Sequence, residues 1–271
     1  MLVVAGSDSG GGAGIQADLK TITVLGGYAM TALTALTAQN TLGVTDVMAV
    51  DAAFVAEQME VVLSDIGADV IKTGMLANAS IVKLVAKTCE RSARGVPLVV
   101  DPVMVATTGA RLLERDAEAA LIERLLPLAS LLTPNAPEAE ALTGVPVRSP
   151  DDLPRAAERL LGLGAAAVLV KGGDLTGPTV VDLLRTADGE EVRFEASRIE
   201  TRSTHGTGCT LASAIATGIG EGLTLRGAVE RARAYVRAAI EHAPPFGKGR
   251  GPLDHGHPLR AAGRAGPAGV D

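Results

Sequence analysis

The chain has 271 residues, and its 25 lysines and arginines against 31 aspartates and glutamates give a formal net charge of −6. Two cysteines cannot form a disulfide framework, and 47% hydrophobic residues are too many for a disordered chain. The acidic balance and the 2% of aromatic residues argue against a nucleic-acid partner, which needs a basic surface and stacking rings.

The start of the chain shows no pattern of a targeting segment. Met1 leads directly into the short apolar run at residues 2–5, whereas a signal peptide begins with basic residues and a longer apolar stretch. No uninterrupted apolar run approaches the roughly 18 to 20 residues that span a bilayer. With the low cysteine count, this predicts a cytoplasmic protein that has no membrane partner.

Strands and helices alternate along the chain. In chain order, the pattern predicts a strand at 2–5, a helix at 14–25, a strand at 44–50, helical residues around 54–63, a strand at 69–72, helical residues around 81–85, a strand at 97–101, a helix at 116–126, a strand at 131–133, helices at 135–143 and 151–163, a strand at 166–171, a hairpin of 178–184 with 191–196, and helices at 208–220 and 225–242. The stretch 28–38, which is small and rich in Thr and Ala, receives no element.

This alternation, with strands that are apolar throughout, predicts an α/β fold with a mostly parallel sheet and helices on both faces. No linker divides the chain, so we expect a single domain over residues 1–258. Residues 259–271 belong to a tail rich in Gly, Pro and Arg, and we expect this tail to be flexible.

Polar residues follow several of the predicted strands at the point where each strand ends. They are Gly6-Ser7-Asp8, Asp101, Thr133-Pro134-Asn135 and Lys171-Gly172-Gly173. Ligands of parallel sheets bind outside the carboxyl ends of the strands. We therefore expect these residues, which are far apart in sequence, to meet at one edge of the sheet and form a site.

The most specific local motif is Thr204-His205-Gly206-Thr207-Gly208-Cys209-Thr210, which opens a helix. Gly206 and Gly208 allow a tight turn, and the helix start adds free N–H groups and a positive dipole end, so the motif predicts an anion site for a transferring phosphoryl group. An ordinary helix start capped by Thr207 is the alternative. The dipole should lower the thiol pKa of Cys209, making it a base or hydrogen-bond partner, whereas Cys89 is expected to be a core residue.

Asn135-Ala136-Pro137-Glu138 places an amide and an acid three residues apart at a helix start. Such a pair can hold the water shell of Mg²⁺, which keeps several waters when it is bound with phosphates. A capping box, with Asn135 as the cap and Glu138 as its acid, is the alternative and needs no metal.

Together, these residues resemble the hydroxymethylpyrimidine/phosphomethylpyrimidine kinase family of thiamine biosynthesis. The resemblance covers residues 2 to about 255, and it rests on residues 5–20, 37–41, 72–76, 101–104, 133–138, 171–173 and 204–210. It implies a three-layer α-β-α ribokinase-like fold with a central mostly parallel sheet. It also implies that ATP, with Mg²⁺, phosphorylates 4-amino-5-hydroxymethyl-2-methylpyrimidine and then its monophosphate.

The resemblance assigns roles to individual residues. Gln39 matches the glutamine that hydrogen-bonds the aminopyrimidine, and a primary amide offers both the donor and the acceptor for that task. Met75, Val103 and the Ala13 backbone match positions that line the pyrimidine pocket, and Asp8 belongs to the same substrate side.

On the phosphate side, Cys209 matches the position where many related sugar kinases carry an aspartate base. Asp101 and Glu138 match acids on the Mg²⁺ side, and Lys171 matches a lysine near the nucleotide phosphates. We expect Asn135 and Thr207 to contact the nucleotide as well. The chain departs from the family pattern at residues 107–108, two threonines where relatives have lysine and serine.

Three other functions remain open. A pyridoxal kinase of the same fold is the nearest, and a pyrimidine-binding module without catalysis is the second. A sugar kinase is disfavoured by Cys209 in place of an acid and by the amide of Gln39. Family members are often homodimers, and the apolar stretch Tyr28–Ala38 is a candidate interface.

Overall fold

A nine-stranded sheet forms the middle layer of the protein in a computed structural model that describes residues 1–105 and 112–261. The strand order is β3-β2-β1-β4-β5-β6-β7-β8-β9, and the pairs from β2 to β7 are parallel, whereas β3, β8 and β9 run antiparallel to their neighbours. The strands are β1 (Leu2–Asp8), β2 (Met30–Asn40), β3 (Gly43–Ala49), β4 (Ile71–Thr73), β5 (Leu98–Val100), β6 (Leu131–Leu132), β7 (Ala167–Val170), β8 (Thr179–Thr186) and β9 (Glu191–Ser197).

Helices cover both faces of this sheet, so the predicted three-layer α-β-α arrangement is confirmed. The helices are α1 (Gly14–Val24), α2 (Ala52–Asp65), α3 (Ala79–Ser92), α4 (Arg115–Ala120), α5 (Ala136–Thr143), α6 (Leu153–Leu161), α7 (Thr207–Gly220), α8 (Leu225–Glu241) and α9 (His257–Ala261). Alternate side chains of one strand enter different cores: Leu2 and Val4 pack with α2 to α6, and Val3 and Ala5 pack with α1, α7 and α8.

The stretch that received no element is an interior strand, β2, lying between β1 and β3. Its inward residues Ala32 and Ala35 are fully buried. Small alanines carry little β propensity of their own, so the strand is imposed by the pairing with β1 rather than signalled locally. Past the body of the sheet, β2 and β3 continue as a two-stranded ribbon.

The helix predicted over 116–126 is shorter than expected. The α-helix ends at Ala120, and the chain continues as a π-helical turn over Leu121–Leu125 and a 3₁₀ turn over Leu126–Leu128. Pro127 lies inside that last turn and has no N–H to donate, so a regular helix cannot continue through it. The hairpin of β8 and β9 around Asp188-Gly189 forms as predicted.

The expected flexible tail begins as a short helix, since α9 includes residues 259–261. The remainder of that prediction, residues 262–271, and the two threonines at 107–108 lie outside the described residues. A single domain over residues 1–258 stays a prediction, which the one shared sheet supports. Within the described ranges, no helix is long and apolar enough to cross a membrane.

Candidate active site

A cavity of about 650 Å³ opens at the carboxyl edge of the sheet. It lies where β1, β4, β5, β6 and β7 end, as the strand-end rule predicts. Thr133, Pro134 and Gly172 of the strand-end set do not line this cavity. The thirteen residues to which the sequence assigns a catalytic or binding role all do, and they are Asp8, Ala13, Gln39, Met75, Asp101, Val103, Asn135, Glu138, Lys171, Gly206, Thr207, Gly208 and Cys209.

The start of α7, which the sequence predicts to be an anion site, lies at the cavity. Gly206 is the N-cap, with φ +86°, and no side chain caps the helix, so Thr207 is not the capping residue of the alternative interpretation. Its hydroxyl instead donates to the Thr204 carbonyl. A Cβ on Gly206 would lie 1.9 Å from the Gly12 carbonyl oxygen, so the two glycine loops pack backbone against backbone. This leaves the first turn of α7 directed into the cavity.

Asp8 organises the glycine-rich loop between β1 and α1. Its carboxylate accepts hydrogen bonds from the amides of Gly10, Gly12 and Ala13, at 2.8–3.0 Å, and lies 2.8 Å from His205 Nε2. Burial alone would raise the pKa of Asp8, but these partners outweigh it and hold the pKa below its usual range. The Asp8 carboxylate, which the sequence predicts to bind substrate, is therefore already hydrogen-bonded within the protein. It shapes the pocket through its hydrogen bonds to this loop.

A cluster of two acids and a lysine, Asp101, Glu138 and Lys171, lies next to the start of α7. Lys171 Nζ lies 3.0 Å from Asp101 Oδ1, which also accepts a hydrogen bond from the Thr133 hydroxyl at 2.9 Å. Burial opposes the charge on Lys171, but Asp101 and Glu138 outweigh it and raise the lysine pKa. A Cβ on Gly208 would be only 3.3 Å from Lys171 Nζ, so the cluster and the anion site are adjacent.

Glu138 is an acid of this cluster whose pKa is perturbed upward. Burial and, to a smaller extent, Asp101 raise the pKa and Lys171 opposes the shift, with a net value of about 7. The capping box exists: Asn135 Oδ1 accepts from the Glu138 amide at 2.8 Å, and Glu138 Oε2 accepts from the Asn135 amide at 2.9 Å. The predicted cap is thus real, and it orients the acid along the cavity wall.

The described residues contain no group of three or more His, Cys, Asp or Glu side chains able to hold a metal. Mg²⁺ needs less from a protein, because it keeps several waters and binds one or two carboxylates together with substrate phosphates. Asp101 and Glu138 both line the cavity, beside the anion site. Two hard carboxylates next to a phosphate site fit that mode of binding.

Cys209 lies in the first turn of α7 and is partly buried. The expectation that the helix dipole would lower its thiol pKa is wrong. Burial, with smaller contributions from Asp18 and Asp101, raises the pKa to about 11, although Lys72 and the hydrogen bond from the Gly14 amide oppose the shift. Desolvation therefore outweighs the groups that favour the thiolate. The group in the site at neutral pH is therefore the thiol.

The residues predicted to hold the pyrimidine lie together on the cavity wall. Met75 and Val103 are among them, and Gln39 supplies an amide. Gln39 Oε1 accepts a hydrogen bond from the Thr37 hydroxyl at 3.1 Å, and its Nε2 lies 3.4 Å from His205 Nε2. The neighbours of the amide therefore fix its orientation before any ligand arrives.

Sequence reasoning missed the other half of the cavity, which β8, β9, α8 and their connections line. Arg198 donates to the carbonyls of Gly173, Leu175 and Gly177 and so holds the loop that follows Lys171. Asp182 accepts from the Gly172 amide at 2.8 Å and forms an ion pair with Arg233. These side chains come from antiparallel strands and a helix face, which the strand-end rule does not cover. The missed residues include Asp182, Glu195, Arg198, Arg233, Arg237 and Ile240.

Residues 249–255, near the end of the described chain, form hydrogen bonds with several loops of the site. The amide of Arg250 donates to the Thr41 carbonyl, and the amide of His205 donates to the Gly251 carbonyl. His255 Nε2 lies 2.9 Å from the Thr210 hydroxyl, one residue after Cys209. The ribbon of β2 and β3 and the start of α7 are therefore both hydrogen-bonded to this segment.

The chain is similar to proteins of known activity over nearly its whole length. The phosphomethylpyrimidine kinase family matches residues 8–254. A hydroxymethylpyrimidine/phosphomethylpyrimidine kinase of Rhizobium meliloti is 51% identical over 94% of this chain and 96% of that protein. A thiamine biosynthesis bifunctional protein of Geobacter sulfurreducens is 55% identical, but the chain spans only 52% of its length.

Solved structures agree with the fold. A phosphomethylpyrimidine kinase of Clostridium difficile superposes with a TM-score of 0.77 at 40% identity, covering 88% of this chain and 98% of that one. A Bacillus subtilis pyridoxal kinase, solved as an ADP complex, gives 0.87 at 36% identity, covering 96% of this chain and 98% of that one. The ribokinase-like fold is thereby confirmed. With a matching family over residues 8–254 and a cavity lined by residues of its motifs, the chain belongs to the phosphomethylpyrimidine kinase family and is a phosphotransferase.

Proposed function

We propose that the protein uses ATP to phosphorylate the hydroxymethyl group of 4-amino-5-hydroxymethyl-2-methylpyrimidine and then phosphorylates the resulting monophosphate to the diphosphate. One observation carries the proposal: a single cavity joins the amide of Gln39, the thiol of Cys209, the uncapped start of α7 and the cluster around Lys171. A pyrimidine alcohol at one end and a nucleotide at the other would meet over the Gly206–Cys209 turn.

In this arrangement, the pyrimidine lies between Met75 and Val103 and hydrogen-bonds Gln39. The nucleotide occupies the half lined by Arg198 and Arg233, with its phosphates directed at the start of α7. The amides of that turn and the charge of Lys171 stabilise the negative charge that spreads over the transferring phosphoryl group. Most of the rate enhancement comes from this positioning and electrostatic stabilisation.

Asp101 and Glu138 would hold Mg²⁺ through its waters. The ion supplies charge neutralisation at the phosphate oxygens. Lys171 keeps the Asp101 carboxylate ionised, because burial would raise the pKa of Asp101 but Lys171 and Lys72 hold it below its usual range. The capping box with Asn135 keeps Glu138 on the cavity wall.

Cys209 works as a thiol that orients the substrate hydroxyl. Its pKa of about 11 argues against a preformed thiolate base at neutral pH. Replacing Cys209 by Ala should lower kcat by at least about tenfold and change the KM for ATP less than twofold, because general acid–base or positioning groups contribute about 10²–10⁴-fold. Cys209→Ser, which keeps a donor and acceptor at the position, is the matched variant and should retain more turnover. Unchanged kcat in the alanine variant would remove Cys209 from the mechanism.

The decisive experiment measures ADP release from ATP with the pyrimidine alcohol and, separately, with its monophosphate. Both substrates should be turned over. Pyridoxal is the necessary comparison, because pyridoxal kinases are among the similar structures. A higher kcat/KM for pyridoxal than for the pyrimidine would replace the proposed substrate, and no ADP release with any of them would favour a binding module.

We also propose that the protein is a homodimer that pairs through the ribbon and α2. Leu36 and Met48 are register partners on one face of the β2–β3 pair, and with Phe54 of the neighbouring α2 they are large apolar residues with 44–67% of their surface exposed. A cluster of this kind marks an interaction surface more often than a solvent-facing one. Sedimentation velocity tests this, and a monomer at all concentrations would contradict it. The cytoplasmic location stays a prediction from the cysteine count.

A further inference from the structure

A fully buried charged group lies beneath the floor of the site, and its only part in the mechanism so far is that Lys72 helps to hold the pKa of Asp101 down. Lys72 of β4 places its Nζ 3.0 and 3.1 Å from the two carboxylate oxygens of Asp18, on α1. The Ser213 hydroxyl, on α7, donates to the same carboxylate at 2.6 Å. Neither charged side chain has any solvent exposure. Three elements that carry the walls of the cavity are therefore joined at one point.

The position of this group relative to Cys209 follows from the helical repeat. Asp18 lies four residues after Gly14, and Ser213 lies four residues after Cys209, so each pair occupies one face of its helix, one turn apart. In the upper turn, the Gly14 amide meets the Cys209 sulfur. In the lower turn, Asp18 meets Ser213. The helices α1 and α7 therefore meet at two places: at Gly14 and Cys209 beside the cavity, and one helical turn further from it at Asp18 and Ser213.

Lys72 lies directly under the cavity floor. A Cβ added to Gly74, which lines the cavity, would be 3.1 Å from Lys72 Nζ. Burial opposes the charged form of this lysine, but Asp18, Cys209 and Asp101 outweigh it and raise its pKa. Lys72 is therefore a buried cation that lies behind Gly74 of the cavity lining.

We propose that Lys72, with Asp18 and Ser213, is a positioning group for the phosphoryl transfer: it holds α1 and α7 in the register that brings Gly14 to Cys209, and its charge tunes the thiol. This rests on the role of Cys209 proposed above. A purely structural ion pair is the competing explanation, since breaking any buried pair destabilises a protein.

The charges around Cys209 separate the two explanations. Lys72 of β4 and Lys171 after β7 are cations near the thiol, while Asp18 of α1 and Asp101 after β5 are acids near it. Burial raises the pKa of Asp18, and Lys72 and the Ser213 hydroxyl oppose this shift and favour its carboxylate form. Replacing Lys72 removes a positive charge near the thiol, whereas replacing Asp18 by a neutral residue removes a negative charge. The two changes should therefore shift its ionisation in opposite directions, although both destabilise the protein.

The experiment compares Lys72→Met with Asp18→Asn in a Cys89→Ala background, which leaves Cys209 as the only cysteine. Iodoacetamide alkylation of Cys209 is followed by mass spectrometry between pH 7 and 10, without nucleotide. Relative to the parent, Asp18→Asn should be alkylated faster at a given pH and Lys72→Met more slowly, with rates about tenfold apart, as one unit of pKa difference implies. Both variants should lose kcat at least tenfold, with KM for ATP changed less than twofold.

Val85→Ala, in a fully buried position on α3, is the control for lost stability. It should lower the melting temperature without moving the alkylation profile or kcat. If only one of the two variants folds, the direction in which its alkylation profile shifts relative to the parent tests the proposal. Shifts of both variants in the same direction, or none, would overturn the proposal. Alkylation requires no turnover, so this result is independent of whether the proposed substrate is correct.

Discussion

Replacing Gly206 by Ala should abolish most of the activity through two separable effects. The backbone there has φ +86°, where a residue with a Cβ is strained by about 1–2 kcal/mol. The new Cβ would also lie 1.9 Å from the Gly12 carbonyl oxygen, whereas a carbon and a carbonyl oxygen normally approach no closer than about 3.3 Å. The two glycine loops must therefore separate by about 1.4 Å.

A displacement of about 1 Å in a positioning element can cost about 100-fold in rate. For Gly206→Ala we therefore expect kcat/KM to fall at least about 100-fold, which corresponds to about 2.7 kcal/mol of transition-state stabilisation. The assay is ADP release with the pyrimidine alcohol, together with a thermal melt to separate lost activity from lost folding.

Gly222→Ala is the matched control. Gly222 has the same φ of +86°, but its Cβ would meet nothing within 4 Å. This variant should carry the backbone strain alone, melting a few degrees lower while kcat stays within about twofold of the parent. If both variants turned over alike, the close approach of the two loops would not be what holds the anion site, and the reasoning would fail.

Three further predictions concern other parts of the molecule. Gln39→Leu keeps the volume but removes the amide, so the KM for the pyrimidine should rise about tenfold or more while the KM for ATP is unchanged; steady-state kinetics with each substrate varied tests this. Because the pKa of Asp8 is held below its usual value, its ionised form stabilises the fold above about pH 4, and this contribution is lost as the pH falls through the folded-state pKa. Urea unfolding between pH 3 and 7 should therefore show a steeper acid limb for the parent than for Asp8→Asn, and equal slopes would contradict it. Met48→Lys should yield a monomer in sedimentation with kcat nearly retained, whereas an intact dimer would place the interface elsewhere.

The site residues on the strand ends could be predicted because local sequence is enough to locate them. An apolar run that ends in Asp101 or Lys171 marks both the strand and its carboxyl edge, and parallel topology then brings the edges together. The glycine-rich start of α7 is equally local. The strand β2 was missed for the opposite reason, because its alanines and threonines carry no strong strand pattern until β1 pairs with them.

The part of the cavity lined by β8, β9 and α8 needed the structure. Arg198 and Arg233 become site residues only because β9 and α8 fold back beside the loop after Lys171, and nothing in their own neighbourhood marks them. The alternative interpretations of Asn135 and Glu138 could not be separated in sequence either, since a capping box and a metal-side acid use the same residues. The structure shows that the cap forms and that the acid still faces the cavity.

By itself, the sequence determined the class of fold, the loops that line the cavity and the family, because these depend on patterns within short segments of the chain. Only the tertiary structure decided how those residues behave. A count of cysteines does not distinguish Cys89 from Cys209, and the position of Cys209 at a helix start predicts a reactive thiolate. Burial instead raises the pKa of Cys209 and keeps it a thiol. Lys72 and Asp18 are separated by 54 residues and meet only in the folded core. Desolvation and pairing depend on what surrounds a group in space, and this is why no local pattern predicts them.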